Sequence, residues 1–176
     1  MTRMMTDWLA GSYGQPQQVR AEWRNRGVAL IPIGRIFDAI RLPEPVVFAA
    51  VCNEGHDYAH ADAALDESLG GPVIHDGHGR NYYAIVPAGT VSEWRFTGLG
   101  VECLGPGTHF GVPAVDVQEY DATHPIYWAT LGGSSGFCAP ASVALLVRIG
   151  AARLAEAEAS QQGADARTLR TEQVPQ

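Results

Sequence analysis

Residues 28–45 read VALIPIGRIFDAIRLPEP. Two apolar runs, Val28 to Ile33 and Ile36 to Leu42, flank Gly34-Arg35. Short apolar runs bounded by turn residues predict buried strands. Pro32 cannot donate to a ladder, so the first strand belongs at an edge or ends there. Pro43 and Pro45 stop the second strand and open a helix, about Pro45 to Asn53, closed by Gly55. Upstream, Gln15 to Arg26 predicts a helix, with Pro16 in its first turn and Gly27 just past its end. Val19 and Trp23, four apart, share its buried face. Trp8 and Leu9 belong to a shorter amphipathic piece before it.

Downstream the pattern changes. His56 to Leu69 is rich in Ala and Asp and reads as a short helix. Val73 to Asp76 and Tyr82 to Val86 flank Gly77-His78-Gly79, a hairpin signature. Gly98 to Leu104, Phe110 to Val115 and Ile126 to Thr130 read as further short strands, with Gly105-Pro106-Gly107 as a turn. From Pro140 to about Glu158, the residues Val143, Leu146, Val147, Gly150 and Leu154 recur with a period near 3.6, which predicts an amphipathic helix. This segregation of helices and strands points to an α+β fold, an antiparallel or mixed sheet flanked by helices. One domain is expected over residues 1–158, and a polar, disordered tail over 159–176.

The chain has 176 residues, 46% hydrophobic and 18% charged, enough apolar material for one core. The formal net charge is -7, and all 12 basic residues are arginine. Nucleic-acid affinity draws on cations that neutralise phosphates, so this balance argues against broad non-specific binding, although one cleft can still be positive. Cys52, Cys103 and Cys138 are odd in number and widely spaced, which indicates neither a disulfide framework nor a zinc site. With no signal-type or membrane-length apolar segment, a cytoplasmic protein is expected.

Several short motifs suggest chemistry. His56 and His60 are four apart with Asp62 nearby, but no Glu completes a zincin motif, and the residues read first as a polar helix start. The His75–Gly79 stretch, with His75, Asp76 and His78, reads first as a turn. Gly132-Gly133-Ser134-Ser135-Gly136 lacks the following Gly-Lys-Ser/Thr of a phosphate loop and the Gly-x-Ser-x-Gly of a nucleophile elbow. Arg35, Arg41, Arg80 and Arg95 are candidates for phosphate contacts. Trp94, Tyr82, Tyr83 and Phe96 are candidates for base stacking. For both groups the plain alternative is ordinary surface or core packing.

Taken in order, Arg20-Ala-Glu-Trp, the 28–40 stretch, Gly71-Pro-Val-Ile, Tyr82-Tyr-Ala-Ile-Val-Pro-Ala-Gly-Thr, Trp94 and Gly100-Val-Glu-Cys-Leu-Gly-Pro-Gly-Thr-His-Phe-Gly-Val-Pro resemble the N-terminal domain of bacterial bifunctional DNA primase/polymerases. These belong to the archaeo-eukaryotic primase superfamily. The resemblance spans roughly residues 6–155 through short, loose motifs. It implies a primase-polymerase-like fold and a link to DNA replication. In active members, paired acids on one strand, a His and a further acid hold Mg2+ or Mn2+ and the incoming nucleotide.

Carried onto this chain, the first motif retains Asp38 but has Ile40 where the second acid belongs. The third retains Glu102. The second falls on Arg80 and Asn81, with Asn81 near the expected His and His78 reachable only by a register shift. The expectation is therefore a stand-alone, motif-degenerate domain lacking full polymerase activity. Asp38 and Glu102 would be its remnant catalytic and metal-binding acids. Arg35, Arg80 and Asn81 would contact nucleotide or phosphate, and residual nucleotide or nucleic-acid binding or an accessory role would follow. Two alternatives stand beside it. One is an active nucleotidyltransferase closed by Asp76 or Asp116. The other is an acidic module that binds a protein partner and no nucleotide.

Overall fold

The structure is a computed structural model that describes residues 6–7, 9–11, 14–133 and 136–172, with side chains through 164. Trp8 and the Ser134-Ser135 pair of the Gly/Ser loop lie outside the described residues. The elements are α1 (Pro16–Arg26), β1 (Val28–Pro32), β2 (Phe37–Pro43), α2 (Glu44–Ala50), α3 (Tyr58–Leu69), β3 (Pro72–Asp76), β4 (Asn81–Pro87), α4 (Thr90–Glu93), β5 (Glu102–Leu104), β6 (His109–Pro113), β7 (Ile126–Leu131) and α5 (Pro140–Glu172).

The class expected from the sequence is the one observed, α+β with antiparallel sheets flanked by helices. Among the described residues there are two sheets. β1 pairs with β6 in a two-stranded ribbon, and the larger sheet has the order β5-β2-β4-β3-β7. Gly34-Arg35 therefore joins strands of different sheets. Pro32 costs little where it stands, because β1 has a single neighbour and a free edge.

Alternation along the strands sorts side chains into two cores. On one face of the large sheet, Ile40, Leu42, Val73, Tyr82, Ala84 and Val86 pack under α2, α3 and α5. On the other, Phe37, Ala39, Ile74 and Ile85 meet the β1–β6 ribbon and α1 through Ile31, Val112, Val19 and Trp23. The domain is thus three layers: helices, five-stranded sheet, and a ribbon with a helix. Trp23 donates its indole N–H to the Val112 carbonyl at 2.9 Å and Trp128 donates to that of Pro113 at 3.1 Å, so both large rings are buried with their polar atom met.

Two elements depart from the expectation. α4, a single turn after β4, has no periodic sequence signal because it is too short to show one. α5 runs on to Glu172 rather than giving way to a tail at 159. Alanines at 151, 152, 155, 157, 159 and 164 supply helix propensity where packing does not.

Candidate functional site

β2 places Asp38 on the helix-covered face, fully buried. Its Oδ2 accepts the backbone N–H of Val91 at 2.9 Å. Val91 lies in the first turn of α4, whose N-cap position is Gly89, a residue with no side chain to offer. Asp38 thus caps from a distant strand a helix that cannot cap itself. Its Oδ1 meets no partner. Ile40, two residues on, is sealed in the same core.

Glu102 lies elsewhere. It is exposed on β5 and forms an ion pair with Arg41 at 3.0 Å. Arg41 and Glu102 are directly opposed in the ladder, so their side chains share a face. Arg41 and Asp38 are three apart on β2, so they do not. The two acids expected to converge therefore project from opposite faces of the sheet. The residue of β5 that shares Asp38's face is Cys103, opposite Ile40. Burial and the carboxylates of Asp38 and Glu102 push the Cys103 thiol up to about 12, so it stays a protonated, poor ligand. Among the described residues no three His, Cys, Asp or Glu side chains gather as a metal would require. The donor set does not fit the paired Mg2+ or Mn2+ of the primase chemistry.

The other expected site residues are likewise occupied or separated. Arg35 is exposed in the bend between β1 and β2. Arg80 and Asn81 sit in the β3–β4 turn, opposite the far end of β2, where Pro43 pairs with Asn81. Strand β2 alone, from Phe37 to Pro43, spans roughly 20 Å at the strand rise, so Arg35 before its start and Arg80 and Asn81 beside its end lie too far apart to grip one nucleotide's phosphates together. Asn81 donates its amide to the Gly79 carbonyl at 2.6 Å, inside the turn. Asp76 accepts from the N–H groups of His78 and Gly79, which makes it a turn-builder. Asp116, the other acid proposed to close the site, lies in a loop facing the C-terminal end of α1.

What the sequence missed is a polar knot on the helix-covered face. His75, inward-facing on β3, donates or accepts at 2.9 Å with Oε1 of Glu44, and both are buried. Oε2 of Glu44 takes a 3.0 Å bond from the Nε–H of Arg80, whose side chain is otherwise exposed. Burial lowers the pKa of His75 against the pull of Glu44, which favours the neutral ring, and Arg80 is the standing cation beside the carboxylate. A neutral His75 must carry its proton on Nε2 to bond Glu44, which leaves Nδ1 as an acceptor without a donor.

Aromatic rings enclose the pair. Tyr82 stacks on His75 with centroids 4.2 Å apart, and Tyr127 meets it edge-on at 5.2 Å. Tyr127 donates its hydroxyl to Asp62 at 2.8 Å. Burial pushes the Asp62 carboxyl up to about 6, with the Tyr127 and Tyr82 hydroxyls restraining the rise. The Tyr82 hydroxyl stands near Asp62 but outside hydrogen-bonding geometry, and Asp62 Oδ1 is also unmet. His75, Tyr82 and Tyr127 are all closed to solvent, so the knot ties α2 and α3 to the sheet and offers no entry to a substrate. The available signal was a His at an inward position of β3, between Val73 and the turn.

Several concavities open to solvent. One, about 990 Å3, lies beside the end of α1, with Arg24, Arg26 and His124 set against Asp116 and Asp121. Another, about 500 Å3, lies between α2 and the outer part of α5, beside Phe48, Asn53 and Arg153. A third, about 370 Å3, lies between α4 and α5 and is lined by Thr90, Glu93, Trp94, Arg95, Phe96, Pro140, Ala144 and Arg148. It brings together two of the aromatic candidates and one of the arginine candidates read from the sequence.

Compared with known proteins, the chain matches no family model, no curated protein and no solved structure. What its fold and sites define is a class: an α+β domain of three layers, with a closed polar knot and several surface clefts. Among the described residues, no helix is long and apolar enough to cross a membrane.

Proposed function

We propose that this chain is a primase/polymerase-like domain that does not carry out metal-dependent nucleotidyl transfer and serves as an accessory domain with residual nucleotide binding. The observation that carries the first half is the division of its acids. Asp38 is buried and spent on the Val91 N–H, while Glu102 faces the other way and pairs with Arg41. A metal-dependent transfer needs carboxylate oxygens converging on one point. Bringing Glu102 to the face of Asp38 would require a one-residue slip of β5, which would also expose Cys103 and bury Arg41's partner. If the chain descends from the primase superfamily, it has kept the strand pattern without this chemistry. The second half is supported by the cleft between α4 and α5, where arginine and aromatic side chains meet.

The test is primer extension with Mg2+ or Mn2+ and all four deoxynucleotides. The expected outcome is no extension above a protein-free control. Template-dependent extension that disappears in a folded Asp38→Asn variant overturns the proposal. A stoichiometric protein partner together with no nucleotide-induced thermal shift favours the interaction-module reading instead.

A further inference from the structure

The α4–α5 cleft is built by residues far apart in sequence. Glu93, Trp94, Arg95 and Phe96 follow one another after β4, whereas Arg148 comes from the third turn of α5. Trp94 and Phe96 are half-buried and pack against the helix-side core, so their positions are held from beneath. Arg95 is pinned as well: its Nη1 donates to the carbonyls of Ser92 at 2.7 Å and Trp94 at 3.3 Å. Neither Arg95 nor Arg148 forms an ion pair with a carboxylate among the described residues. The indole N–H of Trp94 is buried and meets no acceptor among the described residues.

The chemistry of such a cleft is narrow. Aromatic faces take a flat ring, and free guanidiniums take an oxyanion through paired donors. Two arginines against one glutamate leave one net positive charge. A monophosphate carries about -1.5 to -2 at neutral pH, close to what the two guanidiniums can meet. A triphosphate would bring further charge with no partner. The cavity of about 370 Å3 also falls near the lower end of the ~300–1,000 Å3 that small-ligand sites occupy. The whole chain has net charge -7, so a cleft with a positive balance stands against the average field of the protein.

We propose that the cleft between α4 and α5 is a binding site for a planar aromatic monoanion or dianion, with a nucleoside monophosphate as its representative. The ring lies against Trp94 and Phe96, and the phosphate is met by Arg95 and Arg148. This rests on the nucleotide-binding half of the function proposed above and assigns it a place. It does not depend on the absence of polymerase chemistry.

The experiment is calorimetric titration of the full chain in EDTA with three probes: adenosine monophosphate, adenosine and inorganic phosphate. Adenosine monophosphate should bind at least about tenfold more tightly than either fragment. Arg148 is exposed, so Arg148→Ala and Arg148→Glu leave the fold intact. They should weaken binding by about tenfold and more than tenfold respectively. Glu93→Gln should tighten it, because it removes the one opposing charge. Binding that is unchanged in Arg148→Glu places the site elsewhere and overturns the inference while sparing the functional reading. No binding of adenosine monophosphate at millimolar concentration overturns both the site and the nucleotide half of that reading. Inorganic phosphate binding as well as the nucleotide does overturns the aromatic part and leaves only an anion patch. Primer extension, by contrast, would sink the accessory reading and leave this site standing.

Discussion

Asp62 is a carboxyl that the fold holds at a disadvantage. In the unfolded chain it titrates near 3.8, and burial raises it to about 6 in the folded protein. The folded state therefore binds that proton more tightly. Its contribution to stability is fully present below pH 3.8 and is lost as pH rises through about 6. Asp62→Asn keeps an oxygen for the Tyr127 hydroxyl and removes the ionisation. Calorimetry should find the variant more stable than the parent at pH 8, with the difference shrinking toward zero near pH 4. An equal gain at both values would mean that the carboxyl is not desolvated as the geometry implies. The same scale explains why Asp38 misleads. An acid next to a strand's apolar residues looks like a ligand in sequence, yet the only hydrogen-bond partner seen for it here is a backbone N–H fifty-three residues away. Sequence alone could not tell a cap from a catalyst.

At the scale of elements, α2 and α5 cross closely, and Gly150 marks the crossing. A Cβ added there would stand 2.2 Å from the Val46 carbonyl oxygen. Alanine would improve helix propensity by up to about 1 kcal/mol. The overlap is with backbone, which cannot rotate away, and overpacking of this kind costs about 1–3 kcal/mol. The clash should win, so Gly150→Ala is expected to lower the Tm by several degrees. An unchanged or higher Tm would show that the helices can part without loss. The periodic stripe of α5 was legible because it spans many turns. α4 was not, since one turn of helix is recognised only by what caps it, and its cap comes from β2.

Across the whole molecule, stability resides in the two cores on either side of the large sheet. Leu154 is the last side chain of α5 packed against them among the described residues. Of the side chains described beyond Ser160, those of 161, 162 and 164 are exposed, so this stretch adds little apolar burial. Removing residues 161–176 should leave the Tm unchanged within error and reduce helical circular dichroism only by the share of those residues. A clear fall in Tm would reveal a contact made by the distal helix. The net charge of -7 also belongs to this scale, because it concentrates any attraction for anions in the few places where arginines stand unpaired.

By itself the sequence determined most of the elements and the class of fold. Alternating and 3.6-residue apolar periods are local properties, and Pro and Gly mark their ends within a few residues. Only the tertiary structure decided the sites. Which face an acid occupies depends on strand register, and one residue of slip exchanges the faces. Glu44 and His75 meet across 31 residues. Arg95, just after α4, and Arg148 of α5 line one cleft although 53 residues separate them. Such pairings are set by long-range packing, which leaves no periodic trace in the chain.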